Sequence, residues 1–260
     1  IRDLAARGCL EITLLGQIVN RYIASDPQSF ALNNPYKKND FAKLLWEIHQ
    51  IDGIERIHWT APHPLYVDDE LLSVIQLPKQ VNYIHLPVQA GNDEVLKRMN
   101  RRHDRAYYIE TVERIRAARP GIAMGTDIIL GFCGETEEQF EDTVSLYRAC
   151  DFDISYHAQY SARSGTLASK IYGDDVSKEE KKRRWGALQT LMEETTHRKN
   201  QLYVGQRVSV LIDEYKNGWV TGNSREMKRV KMKGTCDMIG TIEDAEVFKA
   251  DTWMLWAQLT

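Results

Sequence analysis

Five times along this chain a short apolar, strand-like run ends in a polar loop and gives way to a helix-like run, at intervals of roughly thirty to forty-five residues. That alternation restricts the fold class to α/β, with parallel strands joined by right-handed crossovers into a sheet or barrel. The expected strands occupy 9–15, 54–59, 82–86, 125–130 and 152–159, and the expected helices 41–50, 69–76, 93–99, 104–119 and 137–150. In a parallel barrel the loops that follow the strands, 16–17, 60–63, 89–92, 131–135 and 160–165, share one rim, which is where ligands bind. Polar side chains gathered there argue for a site more strongly than any one of them does, because a single polar loop residue is ordinary.

The fourth unit carries the most detail. Gly125-Thr126-Asp127-Ile128-Ile129-Leu130 reads as a buried strand, Gly131 and Gly134 break it, and Thr136 with Gln139 stands at capping-box spacing for the next helix. Glycines at such a turn permit positive φ and let a ligand touch the backbone, although any tight α/β connection uses them as well. Asp40 is placed to cap the helix over 41–50, and Ser177-x-x-Glu180 is a second capping box, opening a long helix over 178–203. Its charged stretch 178–184 reads as a solvated face.

Residues 204–260 change character. Val208, Val210 and Ile212 alternate with polar residues, Asn217-Gly218 is a hairpin signal, and 219–221 resumes the strand. Period two then puts Arg229, Lys231 and Lys233 on one face and Val230 and Met232 on the other, with Arg225 and Lys228 adding to the cationic ribbon. Such a ribbon on a small β-barrel suits a phosphate backbone. Acids and bases balance over 204–260, eight of each, which equally suits a solubility stripe. Phe248, Trp253 and Trp256 could stack bases, but aromatics in a small barrel are more often core.

The totals, 260 residues that are 43% apolar, 27% charged and formally −3, fit a soluble chain with one large core and a small second domain. No run of some twenty apolar residues or signal peptide is apparent, so the expected location is cytoplasmic, with no membrane partner. Cys9, Cys133, Cys150 and Cys236 are too scattered for a zinc or disulfide signature and read as plain core or loop thiols, so no metal ligand is assigned. The chain starts at Ile1 with no initiator methionine, in what reads as the end of a helix closed by Gly8, and is expected to begin inside an element.

Six motifs in order then carry a resemblance. Gly16-Gln-Ile-Val-Asn20-Arg-Tyr22, Thr60-Ala-Pro-His63-Pro64, His85-Leu-Pro-Val-Gln89-Ala-Gly91-Asn92, Met99-Asn-Arg-Arg102, the stretch Thr126 to Thr136, and Tyr160-Ser-Ala-Arg-Ser-Gly-Thr166 resemble the radical SAM methylthiotransferases, most nearly the tRNA-modifying MiaB-type branch. Residues 204–259 resemble the RNA-binding TRAM domain of that family. The resemblance implies a partial (βα)6, TIM-like radical SAM barrel over 1–203, lacking its first βα unit, and a small all-β, OB-like TRAM barrel over 204–260. It implies S-adenosylmethionine over the strand ends, chelating an iron-sulfur cluster and generating a radical that abstracts hydrogen from a prenylated adenosine beside the anticodon. A second cluster handles the sulfur and a second S-adenosylmethionine supplies the methyl.

Carried over by motif, the resemblance places Gln17, Asn20, His85, Gln89, Thr126, Asp127, Ile129, Gly131, Tyr160 and Ser161 at the cofactor, with no catalytic residue assigned. The amides of Gln17 and Asn20 would serve the methionine end, the 126–131 strand would lie beside adenine and ribose, and Tyr160 and Ser161 would read the adenine edge. His63, between two prolines, suits a structural role as well as a functional one. The cationic ribbon, Arg225, Lys228, Arg229, Lys231 and Lys233, is the expected RNA contact. Cys133 stands where the family usually has proline. The Cys-x-x-x-Cys-x-x-Cys loop that ligates the cluster is absent, so the full-length parent is expected to be the enzyme and these 260 residues alone inactive. Expected partners are the tRNA anticodon stem-loop and an electron donor such as flavodoxin or ferredoxin, with the protein a monomer. A ribosomal-protein methylthiotransferase and a cluster-free RNA-binding protein on a degenerate barrel are the alternatives.

Overall fold

A computed structural model describes residues 1–163 and 165–260; Ser164, inside the sixth motif, lies outside the described residues. The N-terminal part runs α1 (Arg2–Ala6), β1 (Glu11–Leu14), α2 (Asp40–His49), β2 (Arg56–Trp59), α3 (Asp69–Val74), β3 (Tyr83–His85), α4 (Asp93–Arg98), α5 (Arg105–Ala118), β4 (Ala123–Leu130), α6 (Glu137–Cys150), β5 (Ile154–Gln159), α7 (Leu167–Ile171) and α8 (Lys178–Gln201). β1 pairs with β2, and β3, β4 and β5 pair in that order, all parallel. A parallel bridge joins the two sets, Ile57 N–H donating to Lys79 O at 2.7 Å and Val81 N–H to Ile57 O at 3.0 Å. Five strands thus follow one another in chain order, as short βα connections of one hand require.

Period two sorts each strand. On β4, Thr126, Ile128 and Leu130 are buried, Ile128 and Leu130 packing with helix residues such as Phe41, Val112, Ile115, Phe140 and Tyr147, while Asp127 and Ile129 turn to the half-open concave face. β4 is flanked on both sides, by β5 along Gly125–Leu130 and by β3 with its continuation to Gln89. The strand body therefore offers no free edge to a cofactor, contrary to the reading of 126–131 as a backbone platform.

Local chemistry sets the helix starts. Asn39, not Asp40, caps α2: its side chain accepts from Ala42 N at 3.0 Å, while Asp40 accepts from Ala24 N at 3.0 Å. The Thr136–Gln139 capping box of α6 is reciprocal. At α8 only Ser177 caps, because the Glu180 carboxylate is taken by Arg183 and Arg184. The stretch 178–184 is a solvated face only in part: Lys178, Glu179, Lys182 and Arg183 are exposed, but Lys181 and Arg184 are each 4% exposed. Lys181 Nζ donates to Tyr160 O at 3.1 Å and pairs with Asp174; Arg184 donates to Glu135 Oε2 at 2.8 Å. Glu135 also accepts from Gly131 N at 2.7 Å, so α8 clamps the loop after β4.

The C-terminal part is a closed five-stranded barrel of β6 (Arg207–Lys216), β7 (Trp219–Ser224), β8 (Arg229–Lys233), β9 (Ile242–Ala250) and β10 (Leu255–Leu259), around Val210, Ile212, Val220, Val230, Met232, Val247 and Leu255. Asn217 and Gly218 both take positive φ in the expected hairpin. Phe248 and Trp253 are exposed rather than core. Polar struts join the two parts. Arg56 donates to Asn223 O at 2.8 Å and Ser209 O at 2.6 Å; Asn200 Nδ2 donates to Asp251 O at 2.9 Å; Lys228 Nζ lies 3.0 Å from Asp153. Among the described residues no helix is long and apolar enough to cross a membrane.

Candidate functional site

The concave face of the five strands is lined by alternate residues of β2 to β5: His58, Tyr83, His85, Asp127 and Tyr156. With Asn200 of α8 and with Asn223, Met227, Lys228 and Trp253 of the barrel they surround a cavity of about 620 Å³, within the range of small-molecule sites.

Its centre is a hydrogen-bonded chain. Tyr83 Oη lies 3.1 Å from His85 Nδ1, and His85 Nε2 lies 3.0 Å from Asp127 Oδ1. A carboxylate only accepts, so Nε2 carries a proton towards Asp127, and the Tyr83 hydroxyl shares a hydrogen bond with the other ring nitrogen. Burial, reinforced by Tyr156, Asp153 and Asp127, pushes the Tyr83 phenol well above its usual range and keeps it a donor. Gly125 makes room for the chain: a Cβ there would overlap Tyr83 Oη and come within 2.9 Å of His85 Nδ1. Beside it, burial and then His85 lower His58 to about 4, leaving a neutral imidazole whose buried Nε2 has no partner among the described residues; Asn200 Oδ1 is likewise unpartnered. These two atoms ask for a polar ligand or water.

The strand-end residues divide. Gln17 is exposed beside a groove formed with Leu14, Tyr22 and Phe41, and Ser161 is exposed after β5. Gln89 is 9% exposed at φ +77; its backbone bridges to Asp127 and Ile129, and its side-chain amide has no partner among the described residues. Asn20 is 3% exposed and ties down the neighbouring loop, accepting from His63 N at 2.8 Å and donating to His63 O at 3.0 Å. Its amide is spent there rather than offered to a cofactor. His63 is itself structural, its Nδ1 accepting from Leu65 N at 3.3 Å, and burial, then His103, Arg101 and Arg102, lower it to about 4.

Thr126 faces away from the cavity and is sewn into the core, donating to Leu86 O at 2.8 Å and accepting from Val88 N at 3.1 Å. Tyr160 packs edge-on against Phe132 at 4.8 Å with its hydroxyl buried, so that hydroxyl does not face the rim. Gly131 sits at φ +67 with Lys181 where a Cβ would be. Of the residues assigned by motif, the structure brings His85 and Asp127 into the cavity; Ile129 follows on the same face of β4. Tyr83, His58 and Gly125 were missed. The signal for Tyr83 and Gly125 was the facing pair Tyr83-x-His85 and Gly125-x-Asp127 at period two.

The exposed amide of Gln17 and the half-exposed carboxylate of Asp127 have the chemistry to meet the amine, carboxylate and ribose hydroxyls of S-adenosylmethionine, but they line separate cavities. The cysteines do not fit an iron-sulfur cluster. Cys133 and Cys150 are buried, Cys9 is half-buried and Cys236 is exposed, and burial pushes the Cys150 thiol up to about 12. Among the described residues no three His, Cys, Asp or Glu side chains are grouped to hold a metal.

On the barrel, β8 has Val230 and Met232 buried and Arg229, Lys231 and Lys233 turned outward, as the alternation requires. Three of the five expected phosphate contacts are otherwise engaged. Arg225 donates to Gln80 O at 2.7 Å and to Pro78 O, Lys228 is buried against Asp153, and Arg229 pairs with Asp213 at 2.5 Å and Glu214 at 3.2 Å. Lys231 and Lys233 lie over the Trp219 ring at 5.2 and 3.9 Å, and Lys249 lies over Trp256 at 4.8 Å. Trp256 pairs with both Lys231 and Lys249 across the strands, giving alternating lysine and tryptophan on one outer face.

The profile of the radical SAM superfamily matches residues 8–147. A tRNA-2-methylthio-N(6)-dimethylallyladenosine synthase of Geobacillus thermodenitrificans is 42% identical over 263 residues, covering 100% of this chain and 48% of that protein. The enzyme of the same name from Opitutus terrae is 38% identical over 260 residues, covering 99% and 53%. The chain thus spans about half the length of the curated relatives it matches. Among solved structures, the radical SAM coproporphyrinogen III oxidase of Escherichia coli superposes with a TM-score of 0.45 at 15% identity, over 75% of this chain and 56% of that one, too loosely to support an argument.

Proposed function

The chain belongs to the radical SAM superfamily, and from that premise we propose that it forms the core and RNA-binding portions of a tRNA methylthiotransferase acting on a prenylated adenosine beside the anticodon. One observation carries the reading: identity near 40% to synthases of that product runs the whole length of the chain, through the parallel strands and the closed barrel alike. We read residues 1–203 as five units of a (βα)6 barrel and 204–260 as a TRAM domain, a division supported by the separate apolar core that the second part has of its own.

In this reading Gln17, Gln89, Ile129 and Ser161 contact S-adenosylmethionine at the strand ends. When bound, it supplies the radical chemistry of the superfamily; the cysteines described in this chain are not grouped to hold its cluster. The cavity takes the adenine ring. His85, fixed by Tyr83, holds one Asp127 oxygen and leaves the other to accept a base or ribose proton, while His58 Nε2 and Asn200 Oδ1 meet the remaining polar edge. The surrounding aromatics exclude water and orient the ring. Lys231, Lys233 and Lys249, interleaved with Trp219 and Trp256, hold the RNA backbone and unpaired bases. In this reading the protein works in the cytoplasm.

Fluorescence anisotropy with an anticodon stem-loop RNA tests the RNA half. Affinity should fall steeply as salt rises; a salt-independent or absent complex contradicts the reading.

A further inference from the structure

The cavity on the concave face is not built by the parallel strands alone. Trp253, in the turn between β9 and β10, is 53% exposed and borders both the main cavity and a neighbouring one. It shares that double border with Ile154, Tyr156 and Asp127. The turn is fixed: Asp251 Oδ1 accepts from Trp253 N at 2.7 Å and Met254 N at 2.8 Å, and Asn200 of α8 binds the carbonyls of Asp251 and Thr252. Met227, in the turn before β8, holds φ +57, a conformation costly for a side chain with a Cβ, and also lines the cavity. Its turn is pinned beside it by Lys228 on Asp153. Both turns therefore carry apolar side chains at the cavity while polar contacts hold their bases to the α/β part. Ordinary barrel turns are polar and solvated.

We propose that Trp253 and Met227, supplied by the C-terminal barrel, form with Ile154 the wall that recognises the alkyl substituent on the substrate base. The barrel is then part of the specificity pocket as well as a handle for RNA. The inference rests on the tRNA reading given above. A branched alkyl group is apolar and cannot satisfy His58, Asn200 or Asp127, so within this cavity it belongs against Trp253, Met227 and Ile154. One buried methylene in such a pocket is worth about tenfold in discrimination or more.

The test compares two anticodon stem-loop RNAs, one carrying adenosine and one carrying N6-dimethylallyladenosine, by anisotropy on the 260-residue chain. The wild type should favour the prenylated RNA by about tenfold, and Trp253→Ala or Met227→Ala should lower that ratio by about fivefold. Trp253→Phe, which keeps an aromatic face, should restore most of it. Thermal melting and near-ultraviolet circular dichroism establish that each variant is folded. Lys231→Ala with Lys233→Ala should weaken both RNAs equally and leave the ratio alone. A wild-type preference that survives unchanged in folded Trp253→Ala and Met227→Ala overturns the wall while leaving the tRNA reading standing. Absence of any RNA binding by the wild type removes that reading and the inference with it.

Discussion

His85 Nε2 lies 3.0 Å from Asp127 Oδ1 while its other ring nitrogen is held at 3.1 Å by Tyr83, so one imidazole couples two strands and fixes a carboxylate at the centre of the cavity. The arrangement exists only because Gly125 has no Cβ. Gly125→Ala should cost about 1–3 kcal/mol, the usual range for overpacking. Adding Tyr83→Phe should recover part of it, since removing the hydroxyl leaves Cζ at 2.9 Å as the closest Tyr83 atom. Urea titration of the single and double variants checks this, and additive losses would mean that the glycine and the phenol are independent.

The junction between the two parts depends on a buried pair. Burial opposes charge on Asp153, yet Lys228, Lys199 and the Met124 amide together hold its carboxyl below the usual range. A depressed folded pKa gives stability that is present above the unfolded value and lost as pH falls through the folded one, here below about pH 4. At neutral pH, Asp153→Asn should cost about 3–5 kcal/mol because Lys228 is left buried and unpaired. The double variant Asp153→Asn, Lys228→Met should regain much of this in the same denaturant experiment; a single variant as stable as the parent would show that the pair is idle.

His58 works in the opposite sense. Its folded pKa of about 4 lies below the unfolded value, so between pH 6.5 and 4 the unfolded chain binds the proton and the folded chain does not. This residue should therefore subtract about 2–3 kcal/mol of stability across that window. His58→Gln should flatten the fall in melting temperature from pH 7 to 4.5, and an unaltered profile would place the acid sensitivity elsewhere.

Much of this architecture was legible in advance. Strand-helix alternation and period two located the five parallel strands, the capping box at Thr136 and the outward lysines of β8. What escaped were partnerships between residues distant in sequence. Nothing local marks Asn20 as the clamp of His63, Thr126 as a stitch to Leu86, or Arg225 and Lys228 as struts rather than phosphate contacts. The side of the strand on which Thr126 falls follows from period two once the cavity is assigned to Asp127, because neighbours on a strand face opposite ways.

The revised RNA face makes a sharper distinction. Lys231→Ala and Lys233→Ala should each reduce the salt slope of RNA binding by about one unit. Arg225→Ala and Lys228→Met should instead lower stability at the junction. Anisotropy over a salt series separates the two groups, and a slope change with the second pair would restore them as phosphate ligands.

Mass spectrometry of tRNA nucleosides measures the proposed reaction directly in cells lacking the gene that encodes this chain. Loss of 2-methylthio-N6-dimethylallyladenosine, with accumulation of its prenylated precursor, is expected. An undiminished level of the methylthiolated nucleoside, with no other gene supplying it, would contradict it.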